Sequence, residues 1–330
     1  MPKANEGWKS AMGFDEARWV WMNGSIVPWA DATLHVSAHT LHYGSGVFEG
    51  IRCYRTVMGP ALFRLSEHMR RLTDSAKSYD IEIPYRSEEL ESGICELIRL
   101  NNFCDCYVRP LCYRGSRSLH LNPRACPVEV AILAWPWDPF LTSGGEEKGV
   151  RICISPWQKF DSQMMPSTAK ACGQYINSIL AVQDAERRGY DEALLLDSDG
   201  SIAEGAGENL FLVRDGRLVT NDARHSILLG ITRDAIIELA NDLGIEVEIT
   251  ALRLPDLLAA DEAFFTGTAV EVAAIQEVEG RSIGSSVPGP MTKRIQEAFR
   301  AVTSGRNEKY QHWLHPVECQ RPAALEKSAS

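Results

Sequence analysis

Apolar and polar residues alternate over residues 18–29, and the alternation breaks at Asn23-Gly24. That dipeptide suits both central positions of a two-residue turn, so the stretch reads as a β-hairpin. Further strands are expected at 51–54 and 61–64, joined through Gly59-Pro60. Ser66 stands where an N-cap belongs, with the acidic Glu67 in the first turn, for a helix to about Tyr79. Leu90, Ile94, Leu97 and Ile98 recur at helical spacing and predict a second helix over 87–101 with one buried face. Strands follow at about 105–113 and 127–135.

The stretch 136–149 holds Pro139 and Gly144-Gly145 and few periodic apolar positions. It is the expected boundary between a small N-terminal α/β domain, 1–139, and a larger domain, 140–330. Beyond it the pattern gives a strand at 150–155, a loop to Thr168, and a helix over 173–188 that buries Ile176, Ile179, Leu180 and Val182. Strands at 192–197 and 208–213 come with Asp199-Gly200 and Asp215-Gly216 turns. A helix over 231–243 ends at Gly244. Strands at 245–250 and 262–266 and a helix at 291–303 follow, and the tail after His315 is expected to fray. Helices and hairpins mix irregularly, so the class is α+β and not a regular βαβ series. No Gly-x-Gly-x-x-Gly follows a strand and no Gly-x4-Gly-Lys-Ser/Thr occurs, which removes support for dinucleotide and P-loop sites.

Composition narrows the field. At 330 residues the chain is long enough for two domains at roughly 150 residues each. No apolar run approaches the ~20 residues of a membrane span, and the N-terminus lacks the apolar core of a signal peptide. The net charge is −10 with no large Lys/Arg cluster, which argues against nucleic acid as a partner. The nine cysteines are odd in number and form no Cys-x-x-Cys pair. Reduced thiols in a cytoplasmic protein, with no metal, are the expectation.

Lys170 lies in Pro166-Ser-Thr-Ala-Lys170-Ala-Cys-Gly173, among small residues just before a helix. A lysine at its ordinary pKa is protonated and not nucleophilic; desolvation or a nearby cation frees the amine for imine formation. The plainer reading is a surface lysine in a loop. Glu204-Gly-Ala-Gly-Glu208-Asn209 places two carboxylates around small residues, between a turn and an apolar strand. Gly230-Ile231-Thr232-Arg233-Asp234 opens a helix whose free N–H groups suit a phosphate. Thr266-Gly267-Thr268-Ala269 ends a strand with further donors. Arg64 and Arg109 sit on expected strands, where an anion in a cleft or an ion pair would explain them. A lysine for an imine, an acid for a ring nitrogen and an anion site at a helix start are together what a pyridoxal phosphate enzyme requires.

With these segments the sequence resembles the branched-chain amino-acid aminotransferases, pyridoxal phosphate enzymes of fold type IV. The resemblance rests on His42-Tyr-Gly-Ser-Gly-Val-Phe-Glu-Gly-Ile-Arg52, Tyr107-Val-Arg-Pro-Leu111, Ser167-Thr-Ala-Lys170, Glu204-Gly-Ala-Gly-Glu-Asn-Leu-Phe211, Gly230-Ile-Thr-Arg-Asp234 and Gly267-Thr-Ala269, in family order from about 19 to 312. It implies a homodimer, or a larger homo-oligomer, whose subunits join a small α/β domain to a pseudo-barrel domain, with pyridoxal 5′-phosphate between them. It implies Lys170 as the Schiff-base lysine, Tyr175 at the cofactor's phenolic oxygen and Glu204 at its ring nitrogen. Arg64, Ile231, Thr232 and Thr268 would hold the phosphate, and Leu228 would pack on the ring. Phe48, Gly50 and Tyr107 would surround the substrate side chain, with Tyr43 reaching in from the partner subunit. Arg109 would receive the distal carboxylate of glutamate or 2-oxoglutarate, and Thr268 and Ala269 the α-carboxylate.

The implied reaction moves an amino group between L-leucine, L-isoleucine or L-valine and 2-oxoglutarate in ping-pong order. Activity on D-amino acids, (R)-amines or aminodeoxychorismate is the alternative on the same fold. A non-catalytic amino-acid sensor and a cofactor-free lysine aldolase are further ones. His120 stands where many relatives have glycine, Phe140 where bacterial forms commonly have tyrosine, and Cys172 and Gln174 where glycine and asparagine are commoner.

Overall fold

A computed structural model describes residues 14–137 and 149–318. The hairpin at Asn23-Gly24 forms as expected. β1 (Trp19–Met22) and β2 (Ser25–Pro28) pair with Met22 opposite Ser25, and the two turn residues take φ of 49° and 87°. The chain continues through α1 (His39–Tyr43), β3 (Gly46–Phe48), β4 (Ile51–Thr56), β5 (Gly59–Phe63), α2 (Leu65–Lys77), α3 (Ser87–Asn101), β6 (Cys106–Arg114) and β7 (Val128–Trp135). These strands form a sheet in the order β5-β4-β6-β7-β1-β2, with β3 also paired to β6. Leu90, Ile94, Leu97 and Ile98 are buried in its core, as their spacing predicts.

Two local expectations are corrected. The β4–β5 turn sits at Val57-Met58, with Gly59 and Pro60 already in β5; Gly59 follows the turn at φ 114°, a conformation that favours glycine. Ser66 is not the cap of α2: the helix starts at Leu65, and Arg64 caps it in a left-handed conformation, φ 53°.

The second sheet begins with β8 (Val150–Ile154). After α4 (Tyr175–Arg187) come β9 (Glu192–Leu196), β10 (Ile202–Gly205), β11 (Asn209–Arg214), β12 (Arg217–Thr220), α5 (Ile231–Asp242), β13 (Val247–Ile249), α6 (Leu254–Leu258), β14 (Glu262–Gly267), β15 (Glu271–Val278), β16 (Arg281–Ser282) and α7 (Pro290–Thr303). The order is β10-β9-β8-β15-β14-β11-β12-β13, with β16 at the edge of β15. The pairs β8–β9, β8–β15 and β12–β13 are parallel and the others antiparallel, a mixed arrangement in keeping with the α+β class.

α4 turns a different face inward from the one expected. Ile176 and Ile179 are exposed and Leu180 is half-buried, while Ser178, Ala181 and Ala185 are buried, with Val182 packed beside them. The small side chains let the helix press closely on β9, where Ala193 and Leu195 meet them. The expected fraying does not begin directly at His315, and the tail beyond 318 lies outside the described residues. β17 (Leu314–Pro316) adds to the free edge of β5, and the buried Val317 donates its N–H to the Pro60 carbonyl (2.9 Å). The first sheet therefore takes strands from both ends of the chain. Phe63 of that sheet packs edge-on against Phe299 of α7 and Trp313, tying the two halves into one core. The expected cut between 139 and 140 lies outside the described residues.

Gly93 in the middle of α3 gives a test of sign. Glycine to alanine inside a helix normally stabilises by about 1 kcal/mol. Here a Cβ would stand 2.7 Å from Trp21 Nε1 and 2.9 Å from its Cδ1, on a buried ring. Overpacking of this kind costs about 1–3 kcal/mol. Gly93→Ala is expected to lower the denaturant midpoint; a raised midpoint would show that α3 does not press on Trp21.

Candidate active site

Lys170 is held by its backbone to the first sheet. Its N–H donates to Ser75 Oγ of α2 (2.9 Å), and its carbonyl accepts from Phe48 N–H at the end of β3 (3.0 Å). Gly44 and Gly173 lie so close that a Cβ on Gly44 would be 2.7 Å from Gly173 Cα, which presses the end of α1 against the segment after the lysine. With its main chain fixed on that side, the side chain enters a cleft walled by the second sheet. The cleft holds about 620 Å³ of empty space, counting its solvent-open mouth.

Seven of the eight residues expected at the cofactor line this cleft: Lys170, Tyr175, Glu204, Leu228, Ile231, Thr232 and Thr268. Lys170 Nζ donates to the Tyr175 hydroxyl (2.6 Å) and lies 5.0 Å from the centre of the Phe48 ring. Burial, aided by the nearby Arg71 guanidinium, pulls the lysine down to about 8. Burial also raises the Tyr175 phenol, with the Glu204 charge adding to it. Glu204 is buried at the floor. One oxygen meets Lys159 Nζ (2.8 Å), and the other accepts from Asn209 Nδ2 (3.1 Å) and Leu228 N–H (3.0 Å). Glu208 lines the same wall, and burial pushes its carboxyl up to about 7.

At the other end α5 starts from Gly230 with no side-chain cap, leaving the first N–H groups of a twelve-residue helix toward the cleft. Thr266 at the end of β14 has a buried hydroxyl without a hydrogen-bond partner there, although it lines the cleft.

Arg64 is the exception. Its guanidinium pairs with Glu67 (2.6 Å) and Asp234 (2.9 Å) and covers the Trp313 ring, and it does not line the cleft. The arginine that does is Arg71, two turns further along α2. Glu49 accepts from Arg71 Nε (2.6 Å) and Nη2 (2.8 Å) and pairs with His68 Nδ1 (2.7 Å). Burial opposes ionisation of Glu49, yet Arg71 and His68 hold it well below the usual carboxylate range. The spacing of α2 is that of any amphipathic helix, so nothing in it singles out Arg71; the adjacent Phe48-Glu49-Gly50 segment was the available signal.

Of the expected substrate residues, Phe48, Tyr107 and Arg109 lie on strands of the first sheet, Gly50 between β3 and β4, and Ala269 in the turn between β14 and β15. They are not among the residues that line the cleft, although the Phe48 ring lies beside Lys170. The Arg109 guanidinium lies over the rings of Phe48 (4.6 Å), Tyr107 (5.2 Å) and Trp135 (5.9 Å), and its buried Nε has no partner. Gly50 makes room for Tyr107, whose hydroxyl would be 1.8 Å from a Cβ there. Trp137, not singled out from sequence, stacks near Tyr107 (4.8 Å) and donates Nε1–H to the Ala269 carbonyl (3.2 Å). Tyr43 is exposed, its hydroxyl donating to the Leu119 carbonyl (3.0 Å), away from the lysine cleft. The exposed His120 accepts from His39 Nε2 through its carbonyl (3.0 Å). Phe140 lies outside the described residues.

Residues 46–278 match the family profile of amino-transferase class IV. The branched-chain-amino-acid aminotransferase of Escherichia coli (strain K12) is 45% identical over 303 residues, covering 92% of this chain and 98% of its own. A crystal structure of the Escherichia coli branched-chain amino acid aminotransferase superposes with a TM-score of 0.90 at 44% identity, covering 92% of this chain and 100% of that one. The branched-chain amino acid aminotransferase of T.th., solved with pyridoxamine 5′-phosphate, gives 0.89 at 45%, covering 92% and 99%. The same enzyme has been solved with N-(5′-phosphopyridoxyl)-L-glutamate and with 4-methylvaleric acid, each at 44% identity and a TM-score of 0.88, with the same coverage. The chain belongs to the class IV aminotransferases and has their type IV fold. Within that class its likeness is to the branched-chain aminotransferases over nearly its whole length, and its cofactor is pyridoxal 5′-phosphate.

The residues present fit that cofactor. A low-pKa amine, a buried carboxylate, an uncapped helix start and the orphaned Thr266 hydroxyl supply a partner for the aldehyde, the ring nitrogen and the phosphate. With the lysine at about 8, roughly one molecule in ten has the free amine at pH 7. The rate at which apoenzyme takes up the cofactor, followed by colour, is expected to rise with pH through about 8 and then level off. A rise continuing past pH 10 would mean a solvated lysine.

Proposed function

We propose that this chain exchanges the amino group between branched-chain L-amino acids and 2-oxoglutarate in two ping-pong half-reactions. The observation that carries the reading is the Lys170 amine, held 2.6 Å from the Tyr175 hydroxyl above a buried carboxylate. Lys170 takes the cofactor's aldehyde, Glu204 faces its ring nitrogen, and Leu228 packs on the ring. Arg71, Ile231, Thr232, Thr266 and Thr268 hold the phosphate, with Arg71 in the place first expected for Arg64. When bound, the cofactor supplies a ring that draws electron density from the substrate Cα.

The protein's part is to position groups and move protons. As a free amine Lys170 Nζ would accept the proton from the substrate Cα, and as an ammonium it would deliver that proton to the carbon that was the cofactor's aldehyde carbon; a pKa near the working pH suits both tasks. Tyr175 steadies Nζ between the two. The aromatic wall of Phe48, Tyr107, Trp135 and Trp137 excludes water and receives an apolar side chain. Arg109, cushioned on that wall, pairs with the distal carboxylate of glutamate, which lets one pocket serve both substrates. Thr268 and Ala269 face the α-carboxylate.

The assembly is a homodimer at least. Leu34, Val36, Leu41 and Tyr43 are exposed, as are Leu119 and Leu121 of the neighbouring loop, and a second copy covers this apolar face and brings the partner's Tyr43 to the pocket. Leu121→Asp is expected to shift the sedimenting species toward monomer; an unchanged dimer would place the interface elsewhere.

L-Leucine is expected to outpace D-alanine and (R)-1-phenylethylamine in side-by-side assays, and the reverse order would favour a sibling activity. Arg109→Met removes a charge-assisted contact worth about 1.5–3 kcal/mol, or roughly 10- to 100-fold. Its half-reaction with 2-oxoglutarate should fall by that factor while the leucine half-reaction changes little. Equal losses in both would deny Arg109 the distal carboxylate.

A further inference from the structure

The cleft contains a second lysine that its own sequence neighbourhood does not advertise. Lys159 lies between β8 and Lys170, and its N–H donates to the Leu196 carbonyl (2.8 Å), which pins this stretch to the end of β9. Its side chain runs to the floor of the cleft, where Nζ stands 2.8 Å from Glu204 Oε1; the two side chains are only 10% and 7% exposed. Burial works to lower the ammonium, but the Glu204 charge reverses that and holds it above the usual lysine range. Tyr175 and Asp197 also face Lys159, and Glu208 faces Glu204.

The geometry of Glu204 separates two tasks. Its other oxygen accepts from Asn209 Nδ2 and Leu228 N–H, two neutral donors that already fix the carboxylate in place. A buried ammonium is not needed for that, and burying one carries a desolvation penalty. What the cation adds is a bias on a proton. When a carboxylate meets a pyridine nitrogen, one proton can sit on either partner. An ammonium in contact with the carboxylate disfavours a proton there more than on a nitrogen a hydrogen bond further off. At an effective dielectric of about 20 that difference is on the order of 100-fold.

We propose that Lys159 is a positioning residue which, through Glu204, keeps the shared proton on the cofactor's ring nitrogen and off the carboxyl. This rests on the assignment of Glu204 to that nitrogen. The ring draws electrons from Cα most strongly when its nitrogen is protonated, so Lys159 acts on the rate without touching substrate.

The test uses holoenzyme loaded with pyridoxal 5′-phosphate carrying 15N in the ring, read by 15N NMR. Wild type and Lys159→Arg should show a protonated nitrogen. Lys159→Gln keeps a neutral donor at Oε1 and removes only the charge; its resonance should move toward the unprotonated position, with the leucine half-reaction slowed 10- to 100-fold and recovered in Lys159→Arg. Should Lys159→Gln prove too unstable to load, Lys159→Met is measured in the same way, with folding followed by circular dichroism. A charge-free variant that keeps the wild-type resonance overturns the proposal while leaving the Glu204 assignment intact. Glu204→Gln separates the two: it should lose the protonated signal, and if it does not, the assignment fails and the proposal falls with it.

Discussion

The site depends on a lysine whose backbone belongs to one sheet and whose amine belongs to the cleft of the other. Ser75 and Phe48 hold the main chain of Lys170 on both sides, and Gly44 against Gly173 fixes the segment that follows. The side chain then has one direction to go. Removed from water and set near Arg71, its ammonium loses stability without any nearby carboxylate being needed to act as base. The two sheets can hold this arrangement because Phe63, Phe299 and Trp313 lock them into a common core and β17 returns to the first sheet.

The charges of the cleft are sorted by what each is paired with. Arg71 has the fully buried Glu49, and Lys159 has Glu204. Arg109 has aromatic faces and a free Nε. Lys170 has a neutral hydroxyl. Each of the first two is paired with a buried carboxylate: Arg71 is held in place to meet the phosphate, and Lys159 acts by its charge on Glu204. The last two have no carboxylate partner among the described residues, and they stand where the aldehyde and the distal carboxylate are expected. Partner choice, more than residue type, separates holding groups from reacting groups.

Much of this was legible in the sequence, for identifiable reasons. Lys170, Glu204 and the α5 start lie beside small residues, a local signature of something bulky approaching. The α3 face and the Asn23-Gly24 hairpin follow rules that need only neighbours a few positions apart. What was missed depends on contacts between distant segments. Arg71 and Lys159 acquire their roles from Glu49 and Glu204, 22 residues away in the first case. The β14–β15 hairpin was hidden because Glu271, where glycine would announce a turn, takes φ 57°. The apolar spacing of α4 points to the wrong face because its buried side is made of serine and alanines, which periodicity weighs lightly.

Two lysines share the cleft, which makes the central claim open to direct measurement. Holoenzyme reduced with borohydride, digested and mapped by mass spectrometry should carry the phosphopyridoxyl group on the peptide containing Lys170 alone. The group on Lys159, or no fixed cofactor at all, would contradict the account.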